Sequence, residues 1–145
     1  MTTPIRRFDS RAAGCDTPGM PRFILLEHSG APDDPAGLHY DLLLEAGDAC
    51  RTWRLSAIPG VGGPAVRAEP IAPHRLTWLD HDAGEVSGGR GFARRVDGGE
   101  FRWIDGEEES VVPAARVVVA ISGVRLAGSL EIARVAGVAR LLAPD

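Results

Sequence analysis

The chain has no lysine: all 16 of its basic residues are arginines. A lysine nucleophile and a lysine phosphate clamp are therefore excluded. Scattered arginines need no explanation beyond genomic base composition, whereas a clustered set can recognise phosphate through bidentate hydrogen bonds. Cysteine is scarce as well. Cys15 and Cys50 stand in neither a CxxC nor a zinc-knuckle spacing, which predicts two unpaired thiols in a reducing compartment. There is no basic excess, the formal net charge being −4, and this argues against a protein that coats nucleic acid by bulk electrostatics while leaving room for a local basic site. Long apolar runs are missing too. Met1 to Gly19 carries arginines and acids without the apolar stretch of a signal peptide, and nothing approaches a membrane span. The expectation is a cytoplasmic protein with no membrane partner.

Glycine and proline, by contrast, are plentiful. With 145 residues and 44% of them apolar, the chain can bury one core, and 18 glycines and 11 prolines leave no uninterrupted helical pattern of ordinary length. An all-β, mainly antiparallel fold with little helix follows. Residues 1–21 read as an extended or loosely docked arm, and residues 22–145 as a single domain. The spacing predicts strands at 22–28, 38–45, 50–56 and 65–69. It predicts another over His74–Asp80, a hairpin of 92–96 with 100–104 turning at Asp97-Gly98-Gly99, and two last strands at 116–121 and 124–135. About nine short strands at regular spacing suggest a closed barrel or a sandwich.

The most informative stretch is Leu38-His39-Tyr40-Asp41, continued by Leu42 to Glu45. Side chains two apart on a strand share a face, so Leu38, Tyr40, Leu42 and Leu44 lie on one side and His39, Asp41, Leu43 and Glu45 on the other. The second face costs free energy to bury unless its polar groups are paired or bind something. An imidazole and a carboxylate roughly 7 Å apart along the strand can converge on one ion if a neighbouring strand brings a third ligand. His28, at the end of the apolar run from Arg22 to Glu27, is the nearest candidate. Two histidines and a carboxylate suit manganese or zinc rather than calcium. The bland alternative is a hydrogen-bonded histidine and carboxylate pair.

Other segments are less specific. Ser87 to Arg95 is glycine-rich and carries Arg90, Arg94 and Arg95, which can form a fork for a phosphate or simply flank a solvated hairpin. Trp78 shares a predicted face with His74 and is a candidate for stacking on a base, whereas Trp53 reads as core. Asp80-His81-Asp82 reads as a solvated turn, and the Glu107 to Glu109 run as a solvated loop.

Taken in order, these motifs resemble a known family. The strand ending in His28, the LHYD strand with Glu45 behind it, the Trp53 strand, the His74–Asp80 segment and the closing SGVRLAGSLEIARV are similar to the 3′-phosphoesterase domain of bacterial DNA ligase D, which serves non-homologous end joining. The likeness runs from about Phe23 to Val135, in a stand-alone version. It implies a small closed β-barrel with a polar interior site and a manganese-type divalent ion, zinc being the alternative. The implied activity is removal of a 3′-phosphate or a 3′-terminal ribonucleoside from a DNA end. His28, His39 and Asp41 match the family's metal ligands, and His74 matches its second active-site histidine, in a catalytic role. Three family positions differ: Leu43 replaces an arginine, Trp78 replaces a tyrosine, and no lysine follows Trp53. The resemblance implies a nucleic-acid 3′ end as substrate, with a separate ligase or polymerase as partner. Two other readings are a non-catalytic end-binding module and a phosphoesterase for a small phosphorylated metabolite.

Overall fold

A computed structural model describes residues 19–106 and 115–144. Most of the predicted arm, Cys15 and the Glu107–Glu109 run lie outside the described residues. The fold is all-β, with strands β1 (Arg22–Ser29), β2 (Leu38–Ala46), β3 (Ala49–Leu55), β4 (Val66–Arg75), β5 (Ala83–Glu85), β6 (Phe92–Asp105), β7 (Arg116–Ser122), β8 (Ala127–Ala133) and β9 (Val138–Leu142). Sheet order is β1-β2-β3-β4-β9-β8-β7-β6-β5, and an additional β1–β6 pairing closes the first eight of these into a ring, with β5 a short spur on β6. Every ladder between named strands is antiparallel.

Alternation along each strand fills the ring with one apolar cluster. Phe23 and Leu25 from β1, Leu42 and Leu44 from β2, Phe101 from β6 and Leu130 from β8 belong to it, and Trp53 joins them as a core residue. The intervening residues of β1 and β2 are buried as well. Ile24, Leu26 and Leu43 form a second cluster with Cys50, Leu79 and Ala93 on the outer face of the ring. This explains why Phe23 to Leu26 is a continuous apolar run: β1 is covered on both faces. It also corrects the expected location of the polar site. The interior is apolar, and His39 and Asp41, sharing parity with Leu43, lie on the outer face beside the second cluster.

Several elements differ from the sequence expectation. His74–Asp80 is not a strand: β4 ends at Arg75, and Leu76–Asp80 is a 3-10 helix closed by the His81 N–H donating to the Trp78 carbonyl at 3.0 Å. The helix turns Leu79 onto Ile24, Leu26 and Leu43, apolar surface that a continuing strand would leave in water. The strand over 65–69 instead runs on through Pro70 and Pro73 to Arg75. Among the described residues, β4 has no ladder partner on its β9 side beyond Arg67, and proline is tolerated on such an edge. The predicted last strand is shorter, starting at Ala127, and Val138–Leu142 forms a further strand that closes the ring.

Nor do 92–96 and 100–104 form a hairpin. They are one bent strand, with Val96 as an extra residue where the β1 register jumps from Asp97 to Arg95. Asp97 reaches well beyond its own neighbour. Its buried carboxylate accepts the N–H groups of Gly98 and Val124 at 2.9 Å on Oδ1, and those of Arg125 at 3.0 Å and Leu126 at 2.7 Å on Oδ2. It thereby pins the β7–β8 turn to the bend of β6. A Cβ on Gly123 would collide with this carboxylate and with Phe23, so the turn needs glycine there. Hydrogen bonds to a buried carboxylate are strong, and losing the acceptor strands several backbone donors. Asp97→Ala is expected to destabilise the fold by about 3 kcal/mol, read as a lower urea midpoint at unchanged slope.

Candidate metal centre

The β1–β2 ladder sets His28 directly opposite His39 and Leu26 opposite Asp41, so the register alone brings the two imidazoles and the carboxylate onto one patch of the outer face. The rings meet edge to face with centroids 4.7 Å apart. One ligand atom from each of His28, His39 and Asp41 lies within 4.8 Å of the others, the set expected from the sequence to hold an ion. Side-chain exposure is 12% for His28, 3% for His39 and 7% for Asp41, so little water reaches these atoms.

Each ring is anchored by its outward nitrogen. His39 Nδ1–H donates to Asp34 Oδ2 at 2.8 Å, and His28 Nε2–H donates to the Arg90 carbonyl at 2.7 Å. With those protons outward, the inward atoms of neutral rings, His39 Nε2 and His28 Nδ1, carry lone pairs. Asp41 stands between them: its Oδ2 is in hydrogen-bonding geometry with His28 Nδ1 at 3.3 Å, and its Oδ1 lies 3.3 Å from His39 Nε2. The second pair is close but not aligned for a hydrogen bond, leaving both His39 Nε2 and Asp41 Oδ1 buried without a partner. Acceptors converging in a buried place repel one another unless a cation sits among them. Burial pushes the His39 pKa down, but hydrogen bonds and charge from Asp41 and Asp34 outweigh it, and the net shift is upward. Asp34 is correspondingly lowered, chiefly by its hydrogen bond to His39. The cluster thus fits a divalent ion by donor type, burial and second-layer support.

Two residues of this site carry no signal of their own in the sequence. Asp34 sits in the Ser29–Gly37 connection, which reads simply as turn-rich. Arg54 lies directly across the β2–β3 ladder from Asp41, hence on the same face. Its Nε is buried without a partner, and its terminal nitrogen stands 3.3 Å from the exposed Asp33 carboxylate. Pleat parity across the Ala46–Asp48 turn is the signal that leads to Arg54, once the register is known.

The other predicted residues are dispersed. His74 lies on the same outer face opposite Cys50, itself opposite Glu45, which places it roughly 15 Å from Asp41 by standard strand spacings. It donates through Nδ1 to the Ala72 carbonyl at 3.1 Å and is not among the converging ligands. Trp78 is half-buried between His74 and His81, at ring distances of 5.9 and 4.7 Å. His81 is no solvated turn residue, since its Nε2 lies 2.9 Å from the carbonyl of Ala93, the residue paired with His28. The three arginines form no common fork. Arg90 folds back on Ser87, Arg94 pairs with Glu27 at 3.0 Å, and the Arg95 guanidinium lies over Gly98. What the glycine-rich loop contributes is the Arg90 carbonyl. Gly91, at φ +96°, allows that approach, because a Cβ there would strike the Ser29 carbonyl.

Neither a scan against protein-family models nor a search of curated proteins returns a match to this chain. No helix among the described residues is long and apolar enough to cross a membrane.

Cys50 belongs to the apolar cluster rather than to the site, and burial pushes its thiol pKa up to about 11 from an ordinary 9.0. Only the thiolate is alkylated, so at pH 8 a shift of this size slows reaction about 100-fold relative to a free thiol. Iodoacetamide mapping by mass spectrometry is expected to find Cys50 unmodified in the native protein and fully modified in guanidinium.

Proposed function

We propose that this chain is a divalent-metal-dependent phosphoesterase acting on the 3′ ends of DNA, removing a 3′-phosphate or a 3′-terminal ribonucleoside during end-joining repair. His28 through Nδ1, His39 through Nε2 and Asp41 hold the ion. The observation that carries this reading is the buried convergence of these three acceptors, two of whose atoms have no hydrogen-bond partner. The donor set favours manganese or zinc. The ion supplies Lewis acidity toward a phosphoryl oxygen.

The substrate class rests on the resemblance to the ligase D phosphoesterase domain, with two features in support. Arg54, beside Asp41, is a cation with an uncommitted buried Nε, suited to an anionic group brought to the ion. His74 and Trp78 lie farther along the same face, so a nucleic-acid strand laid across the outer cluster would meet the triad at one end and an aromatic pair at the other. A small metabolite would not span that length. A separate ligase or polymerase is the partner that this chemistry would serve.

A non-catalytic end-binding module is the second reading, favoured by Leu43 and Trp78 at positions where the family carries an arginine and a tyrosine. His39→Ala is expected to abolish manganese uptake and to lower hydrolysis of a 3′-phosphorylated oligonucleotide at least 100-fold, without loss of the folded circular-dichroism spectrum. Full manganese-dependent activity in that variant would rule out this site. Stoichiometric metal in the wild type with no hydrolysis of any 3′ end would favour the binding module.

A further inference from the structure

We infer that Asp34 is a positioning residue for the metal ligand His39, and that the loop between β1 and β2 exists to aim its carboxylate. The inference rests on the metal reading above and concerns how the ligand is presented. The loop is closed at its base by the Gly30 N–H donating to the Gly37 carbonyl at 3.1 Å, and inside by Asp34 N–H to the Ala31 carbonyl at 3.1 Å and Gly37 N–H to the Asp34 carbonyl at 3.0 Å. Ala31, at 7% exposure, roots it in the protein. Within this frame Asp34 Oδ1 accepts the Ala36 N–H at 3.1 Å, so the carboxylate is already oriented by its own backbone when Oδ2 accepts His39 Nδ1–H at 2.8 Å.

The consequences for His39 are chemical as well as steric. A carboxylate on the outer nitrogen keeps the proton at Nδ1, turns the Nε2 lone pair inward, holds the ring plane and makes Nε2 a stronger donor to a cation. His28 receives the same kind of support from a neutral carbonyl, that of Arg90, on its opposite nitrogen. The two ligands therefore present different atoms, Nδ1 from His28 and Nε2 from His39, and only the second is charge-assisted. The ladder register sets the positions of both rings, and the connection supplies the carboxylate. The eleven-residue separation of His28 and His39 is thus put to use.

Two variants separate loop order from ligand control. Asp34→Ala removes both side-chain bonds. Asp34→Asn keeps an amide oxygen for the Ala36 N–H but turns an N–H donor toward His39 Nδ1, favouring the opposite tautomer, with the proton on Nε2. Binding of Mn2+ and of Zn2+ is measured calorimetrically, and the His39 tautomer by long-range 1H–15N correlation in the metal-free protein at a pH where the ring is neutral. Both variants are expected to bind each ion about 10- to 100-fold more weakly than wild type, with His39 protonated at Nδ1 in wild type and at Nε2 in Asp34→Asn. Binding within twofold of wild type in either variant, or an unchanged tautomer in Asp34→Asn, would overturn the inference. A wild-type protein that takes up neither ion would instead overturn the metal reading, and the tautomer comparison would still decide whether Asp34 controls His39.

Discussion

Everything about the site depends on β1 being paired on both edges and covered on both faces. Its ladder with β2 aligns His28 with His39, its ladder with β6 closes the ring, and its two sets of side chains join two separate apolar clusters. A strand so enclosed cannot slip by one residue without exchanging Phe23 and Leu25 for Ile24 and Leu26 and turning His28 into the wall of the apolar interior. The energy that holds the register is hydrophobic. The geometry it enforces is that of a polar cluster which would not assemble on its own account.

That cluster stands against the ordinary tendency of acceptors to separate. Two imidazole nitrogens and a carboxylate share one buried place, and the molecule holds them there because both rings are tied from outside, by Asp34 and by the Arg90 carbonyl. The ties come from the β1–β2 connection and the loop entering β6. Glycine at position 91 lets the second of these pack against the first. The polar site and the loops that complete it are thus parts of one arrangement, built at one end of a ladder whose other end is apolar.

Much of this was legible in the residues. The period of two along Leu38 to Glu45 placed His39 and Asp41 on one face, and the apolar run before His28 marked a strand. The all-β class followed from glycine and proline too frequent for helix. Other elements were not legible, for reasons that can be named. Five residues are too few to tell the period of three of a 3-10 helix at Leu76–Asp80 from the period of two of a strand, and only the apolar surface waiting on β1 and β2 decides between them. Asp97-Gly98-Gly99 carries every local mark of a hairpin turn, yet its carboxylate is engaged by a turn more than twenty residues away. Asp34 and Arg54 look like ordinary loop and strand residues until the register gives them neighbours.

The sequence by itself determined the fold class, the strand character of the LHYD segment and the shared face of His39 and Asp41, because pleat and propensity act over a few residues. Tertiary structure alone decided which side of the ring that face lies on, that His28 joins it while His74 stays at the far end, and that Asp34, Arg54 and a backbone carbonyl from position 90 complete the surroundings. Those outcomes depend on register and closure, which are set by how two apolar clusters are buried at once, and no local pattern contains that information.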